Sequence, residues 1–241
     1  MTRRNRIRRQ FLATLVLGVA ATARADPPAE RPIDAPHGMR VIVKMIGPVT
    51  QPADLQAICV LRHDPAGDKY IEAMADFNGR LGGLLASLRD RGEFAGDPGE
   101  TLLFTPPPNS IAPKRVLLIG VGDESKLTPD AMRMAGAIAA REALRLGAAH
   151  VAWAPTMRDQ GSTRVGVGDG DRAFAEGWVL AYDTAKRMQA QRLSPSADVA
   201  DVTIEAGPKF IADASAKVRA GVAAAAAAAA QRSDAAYSSA K

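Results

Sequence analysis

Apolar residues recur along this chain in two rhythms. Short runs at 39–46, 55–61, 101–105, 115–121, 151–154 and 201–205 have the apolar and β-branched density of strands. Between them, apolar positions return every three or four residues. Ile71, Met74, Leu81, Leu84, Leu85 and Leu88 supply one face of a helix over 68–89, with Gly79, Gly82 and Gly83 marking a bend or a break in it. Met132, Ala135, Gly136, Ala139, Ala143 and Leu146 line a second helix. Its start is signalled by Thr128 as N-cap, Pro129 at the first helical position and Asp130 in the first turn, and its stop by Gly147. That face is built mostly of small residues, which lets a backbone sit close. Further helices are predicted over about 171–191 and 209–232. The last contains eight consecutive alanines, 223–230, which favour helix without demanding deep burial.

The run at 115–121 is nearly all apolar, as a central strand covered on both faces would be. Strand, helix and strand over 115–154 form a βαβ crossover, which makes the fold class α/β. Residues 155–170 read as a polar, glycine-rich loop with one edge-strand piece at 163–167. The domain plan is a leader at 1–25, a proline- and charge-rich flexible lead-in at 26–37, one domain over 38–232 and a frayed tail at 233–241.

The leader changes the electrostatic picture. Arg3, Arg4, Arg6, Arg8 and Arg9 precede an apolar stretch that ends before Ala23-Arg24-Ala25, the layout of a secretory signal cleaved after Ala25. Arg8-Arg9-Gln10-Phe11-Leu12 resembles a twin-arginine export signal, with Ile7 where Ser or Thr is usual, so both export routes stay open. The expected location is periplasmic or secreted. The apolar stretch is too short for a stable membrane span. Removing six of the 31 basic residues with the leader leaves 25 against 26 acidic, a formal charge of −1. No nucleic-acid partner is expected on that balance. The single cysteine, Cys59, sits in an apolar run and reads as a small buried hydrophobe, outside any disulfide framework.

Candidate chemistry is sparse. Gly120 and Gly122 close the strongest strand, but Ser125 stands where a dinucleotide fingerprint needs its third glycine, and no Gly-Lys-Ser/Thr follows. Asp123 and Glu124 also put negative charge where a phosphate would want amide donors. The second cluster, 166–170, fails in the same way. Either both are turns, or they form a nest of amides around a ligand. The candidate pocket wall is Gly120, Val121, Gly122 and Asp123, with Gly166 and Gly168 opposite, at the carboxyl ends of the central strands. The three histidines, His37, His63 and His150, lie in different elements with no second ligand at metal spacing, and no nucleophile elbow occurs. The expectation is no catalytic residue, no metal and no cofactor.

Residues 99–148 (GETLLFTPPPNSIAPKRVLLIGVGDESKLTPDAMRMAGAIAAREALRLGA) resemble the N-terminal domain of the leucyl aminopeptidases, the di-metal exopeptidase family M17. The likeness extends through 81–100 with its Arg-Gly-Glu-Phe-Ala-Gly turn, through AFAEGWVLAYD at 173–183, and to Gly221-Val222, covering roughly 38–230. The resemblance implies a macro-domain-like, three-layer α/β/α fold with a mixed central sheet. It also places the family's di-metal site in a C-terminal catalytic domain, whose Asn-Thr-Asp-Ala-Glu-Gly-Arg-Leu signature this sequence does not contain. The expected function is therefore an exported, non-catalytic binding or accessory module. Two rivals stay open. One is an enzyme or subunit that acts on small, ADP-ribose-like metabolites or assists an aminopeptidase. The other is a structural protein–protein domain, which an exposed apolar patch along 209–232 would favour.

Overall fold

The computed structural model describes residues 32–233. Residues 1–25, read from the sequence as an export leader, fall outside them, as do residues 234–241 of the tail. Seven strands form one sheet: β1 (Ile33–Asp34), β2 (Arg40–Lys44), β3 (Leu55–Leu61), β4 (Thr101–Phe104), β5 (Val116–Gly122), β6 (His150–Ala154) and β7 (Asp201–Glu205). Their spatial order is β1-β2-β7-β6-β3-β5-β4, antiparallel at the β1–β2 and β4–β5 edges and parallel between them. Five helices cover it: α1 (Glu72–Arg80), α2 (Leu84–Asp90), α3 (Pro129–Leu146), α4 (Val167–Ala190) and α5 (Ile211–Ala230). The mixed α/β/α, macro-domain-like architecture matches the expectation.

Alternation within the strands divides the core in two. Leu55, Ala57, Cys59, Leu117, Ile119, Trp153 and Ile204 face α3, α4 and α5. Ile58, Val60, Val116, Leu118 and Ala154 face Met74, Phe77, Leu81 and Leu85 of the α1–α2 layer. Every residue of β3 and β5 is buried, which explains their unbroken apolar runs. The β5–α3–β6 crossover passes over β3, which pairs with both strands.

Local chemistry sets several boundaries. Gly82 and Gly83 both have positive φ, 66° and 81°, and split the helix predicted over 68–89 into α1 and α2. Ile71, read as part of the buried face, instead precedes α1 and is exposed. Thr128 holds the N-cap position of α3, but its hydroxyl makes no capping bond. The predicted strand at 163–167 does not form. The chain turns there, and α4 begins at Val167, four residues before the expected start. The reason is tertiary, because Gly168 in that first turn packs directly against Asp213 and Lys217 of α5. Ile33–Asp34, inside the proline-rich lead-in, pairs with β2 as an edge strand.

Candidate functional site

The glycines after β5 pack against the chain's own backbone. A Cβ on Gly120 would lie 2.1 Å from the Asp97 carbonyl oxygen, and one on Gly122, at φ 84°, would lie 2.7 Å from the Pro98 side chain. The 96–100 turn is laced to them: Gly99 donates its N–H to Gly120, Gly120 to Glu100, and Gly122 to Gly96. An amide nest does exist, formed by the N–H groups of Ala95, Gly96 and Asp97. The Glu100 carboxylate fills it, accepting from them at 3.2, 2.7 and 3.0 Å. Val121 is in the core. Asp123 is exposed, and the Ser125 side chain together with the Ser125 N–H, which donates to it at 2.7 Å, holds its carboxyl below the usual range. Gly166 and Gly168 lie at the start of α4. None of these six residues lines the cleft described next.

That cleft opens at the carboxyl ends of β2, β6 and β7 and encloses about 130 Å³. Ile46, Gly47 and Pro48 follow β2; Ala154, Pro155, Thr156, Arg158 and Asp159 end β6 and continue beyond it; Glu205, Ala206, Gly207 and Phe210 do the same for β7. Glu72 and Ala73 of α1 and Val167 of α4 complete the wall. The loop after β6 is fixed to β3: the Thr156 hydroxyl and the Gln160 amide both donate to the Cys59 carbonyl, at 2.7 and 2.9 Å, and Gln160 Oε1 accepts from the Leu61 N–H at 2.9 Å. Cys59 itself is buried, and burial pushes its thiol up to about 12. It is a packing residue, as its setting in the sequence implied.

The cleft is rich in carboxyls. Arg158 pairs with Glu72 and lays its guanidinium 5.1 Å from the Phe210 ring centroid, so the start of α1 and the segments after β6 and β7 meet in one bridge. Glu72 holds a φ of 46° there, a left-handed backbone that costs a non-glycine residue about 1 kcal/mol or more. Asp159 is half-buried. Burial first, then the Glu72 charge, raise its carboxyl to about 6, against the opposing pull of Arg158 and the Ala73 N–H. Glu205 is only 3% exposed, and neither carboxyl oxygen has a hydrogen-bond partner among the described residues. Burial raises its pKa well above the usual range although Gln56 favours the charged form.

A second buried acid lies on the other face of the sheet. Asp171 of α4 accepts from Trp153 Nε1 at 3.3 Å, and its other oxygen has no partner among the described residues. Burial, with Asp213 adding, raises its carboxyl well above the usual range against the Trp153 bond. The unfolded chain releases this proton near pH 4. Above that pH the folded chain still holds it, so stability falls as pH rises, by at most about 1.4 kcal/mol per pH unit until the folded group ionises too. An Asp171→Asn variant should therefore gain on the parent progressively above about pH 4, as urea midpoints across the pH range would report. A constant difference would mean that Asp171 is ionised in the folded chain.

Each histidine is used structurally. His37, His63 and His150 pair with Asp183, Asp68 and Asp201 at 2.8, 2.9 and 2.9 Å. Among the described residues, no three His, Cys, Asp or Glu side chains come together in a group that could hold a metal ion. No described helix is long and apolar enough to cross a membrane.

Known proteins resemble this chain in sequence and in fold. The Cytosol aminopeptidase family, N-terminal domain, matches residues 60–192. A probable cytosol aminopeptidase of Thermosynechococcus vestitus is 33% identical over 124 residues, which are 50% of this chain and 24% of that protein. This chain therefore corresponds to about a quarter of that relative. Tomato leucine aminopeptidase superposes with a TM-score of 0.54 at 21% identity, over 78% of this chain and 37% of its own. A macrodomain of Oceanobacillus iheyensis, solved with ADPR, superposes with a TM-score of 0.51 at 9% identity, over 80% and 98%. At such identities the two structures establish the fold alone.

Proposed function

The chain belongs to the family of the cytosol aminopeptidase N-terminal domain, and from that premise we propose that it is a non-catalytic module that holds a small molecule at the carboxyl ends of its central strands. The observation that carries this reading is the cleft itself, where a buried carboxyl with no hydrogen-bond partner among the described residues, Glu205, meets apolar side chains. An isolated buried acid lowers stability, and such a cost persists where a bound group offsets it. The leader-like layout of residues 1–25 supports a periplasmic or extracellular location for the module. A macrodomain of the same fold solved with ADPR supports a small-molecule ligand over none.

The protein–protein reading finds less support. The outward positions of α5 toward its end, such as Ala223, Ala224, Ala227 and Ala228, are alanines rather than large apolar side chains. Native mass spectrometry of the mature protein, purified gently from its own periplasm, tests the ligand reading. We expect an added small-molecule mass that is lost on denaturation. A bare chain at every purification mildness overturns it.

A further inference from the structure

We propose that the strand-end cleft is built for an organic cation, a primary ammonium on a small apolar body, received by the carboxyls of Asp159 and Glu205. This inference rests on the ligand reading above and names its chemical class.

The charges decide the sign of the ligand. Glu72, Asp159 and Glu205 line the cleft against one cation, Arg158, and that guanidinium is already paired with Glu72. A diphosphate entering here would meet the Asp159 carboxylate in a partly dry site, where like charges repel far more strongly than in water. A cation instead stabilises the Asp159 carboxylate and draws the buried Glu205 carboxyl, whose neutral form burial favours, toward its charged form. The N-terminus of α1, which would otherwise draw an anion, faces acidic groups: Glu72 stands in its first turn, and the Ala73 N–H favours the charged Asp159. The first turn of α4 likewise carries Asp169.

Glu205 supplies the second, independent observation. It follows Ile204, which pairs with Trp153 of β6, so it lies on the strand face that Ala154 occupies, and both residues line the cleft. Lys44 stands opposite it in the β2–β7 register, yet neither carboxyl oxygen receives a donor among the described residues. Other inward carboxylates are saturated: Asp68 by Arg89, His63 and Tyr70, and Asp183 by His37, Arg187 and Arg232. Asp159 accepts from the Ala73 N–H, and Glu205 has no hydrogen-bonded donor among the described residues, so both keep acceptor capacity that the three donors of an ammonium can fill.

Size and lining settle the rest. A water needs about 10–15 Å³ of such space, so the 130 Å³ enclosed here takes on the order of ten non-hydrogen atoms. Phe210, Ile46, Pro48 and Val167 offer apolar surface to the ligand's body. A bare metal ion is disfavoured, because the described acidic side chains make no group able to hold one.

Three probes of one shape and different charge test this on the full mature chain: 2-phenylethylamine, 2-phenylethanol and phenylacetate, each titrated by calorimetry at pH 7.5. We expect the amine to bind at least tenfold tighter than the alcohol, and phenylacetate not to bind. Asp159→Asn and Glu205→Gln, which conserve shape, should each weaken the amine at least tenfold while leaving the far-ultraviolet dichroism unchanged. Phenylacetate or ADP-ribose binding as tightly as the amine overturns the proposal. So does amine affinity unaffected by both variants, or no amine binding at all. A small molecule that still co-purifies in those cases keeps the ligand reading and removes only its class.

Discussion

Replacing Gly177 with valine is expected to cost about 3 kcal/mol or more, a large share of the 5–15 kcal/mol that typically holds a domain together. Helices α3 and α4 cross with their backbones in contact. A Cβ on Gly177 would lie 1.9 Å from the Arg133 carbonyl oxygen, and one on Gly136 would lie 2.1 Å from that of Phe174. Both obstacles are main chain, so no rotamer change relieves them and the helices must part. Parting them disturbs the stack of Trp153 on Phe174, whose ring centroids lie 4.1 Å apart, and the buried Trp178 beside it. Helix propensity works the other way, since glycine is the poorer helix former by about 1 kcal/mol. Steric overlap wins at Gly177 and is absent at Gly79, an exposed glycine of α1 with nothing within 4 Å of its Cβ position. Gly79→Ala should therefore stabilise by about 0.5–1 kcal/mol. Urea unfolding of both variants separates space from propensity. A Gly177→Val midpoint equal to the parent's would mean that the helices do not cross this closely.

The second large effect concerns Arg89. Its side chain is 1% exposed and grips Asp68 with Nε at 2.5 Å and Nη2 at 2.9 Å, while Nη1 donates to the Leu61 carbonyl at 2.8 Å. This fork ties α2 to the end of β3 and to the segment that leads into α1. Burial works against the Asp68 charge, but Arg89, the Asp64 N–H and His63 together hold its pKa below the usual range. Arg89→Met keeps the apolar stem and deletes the charge, leaving Asp68 short of donors. We expect a loss of about 3–5 kcal/mol, the usual result of removing one partner from a buried pair. Adding Asp68→Asn should recover part of it, because the orphaned charge goes too. Thermal melts of the two single variants and the double decide the matter. Additive losses would show that the pair is not coupled.

Much of the fold was legible in the sequence. Strand β7 falls on 201–205 and β3 on 55–61, as their apolar patterns implied. Pro129 and Gly147 bound α3 at both ends. The glycine-rich close of β5 was read as either a turn or a ligand nest, and sequence had no means of choosing between them. The 96–100 turn, which occupies the space beside Gly120, comes from a separate stretch of chain whose position depends on the folded sheet.

The candidate site was not legible, and the reason is physical. Its residues come from 46–48, 72–73, 154–159, 167 and 205–210, segments that meet because β2, β7 and β6 are neighbours in space although not in sequence. In DVTIE, Thr203 and Glu205 alternate with Val202 and Ile204, and a period of two says only that they share a face. Such a pattern reads as one wet side and one dry side. In the folded chain both sides are covered, and Glu205 is buried with no hydrogen-bond partner for its carboxyl among the described residues. Local pattern determined the elements and the class of fold, because each depends on residues a few positions apart. Strand order and the covering of each sheet face depend on contacts between distant segments, so the cleft and its charge were decided by the tertiary structure alone.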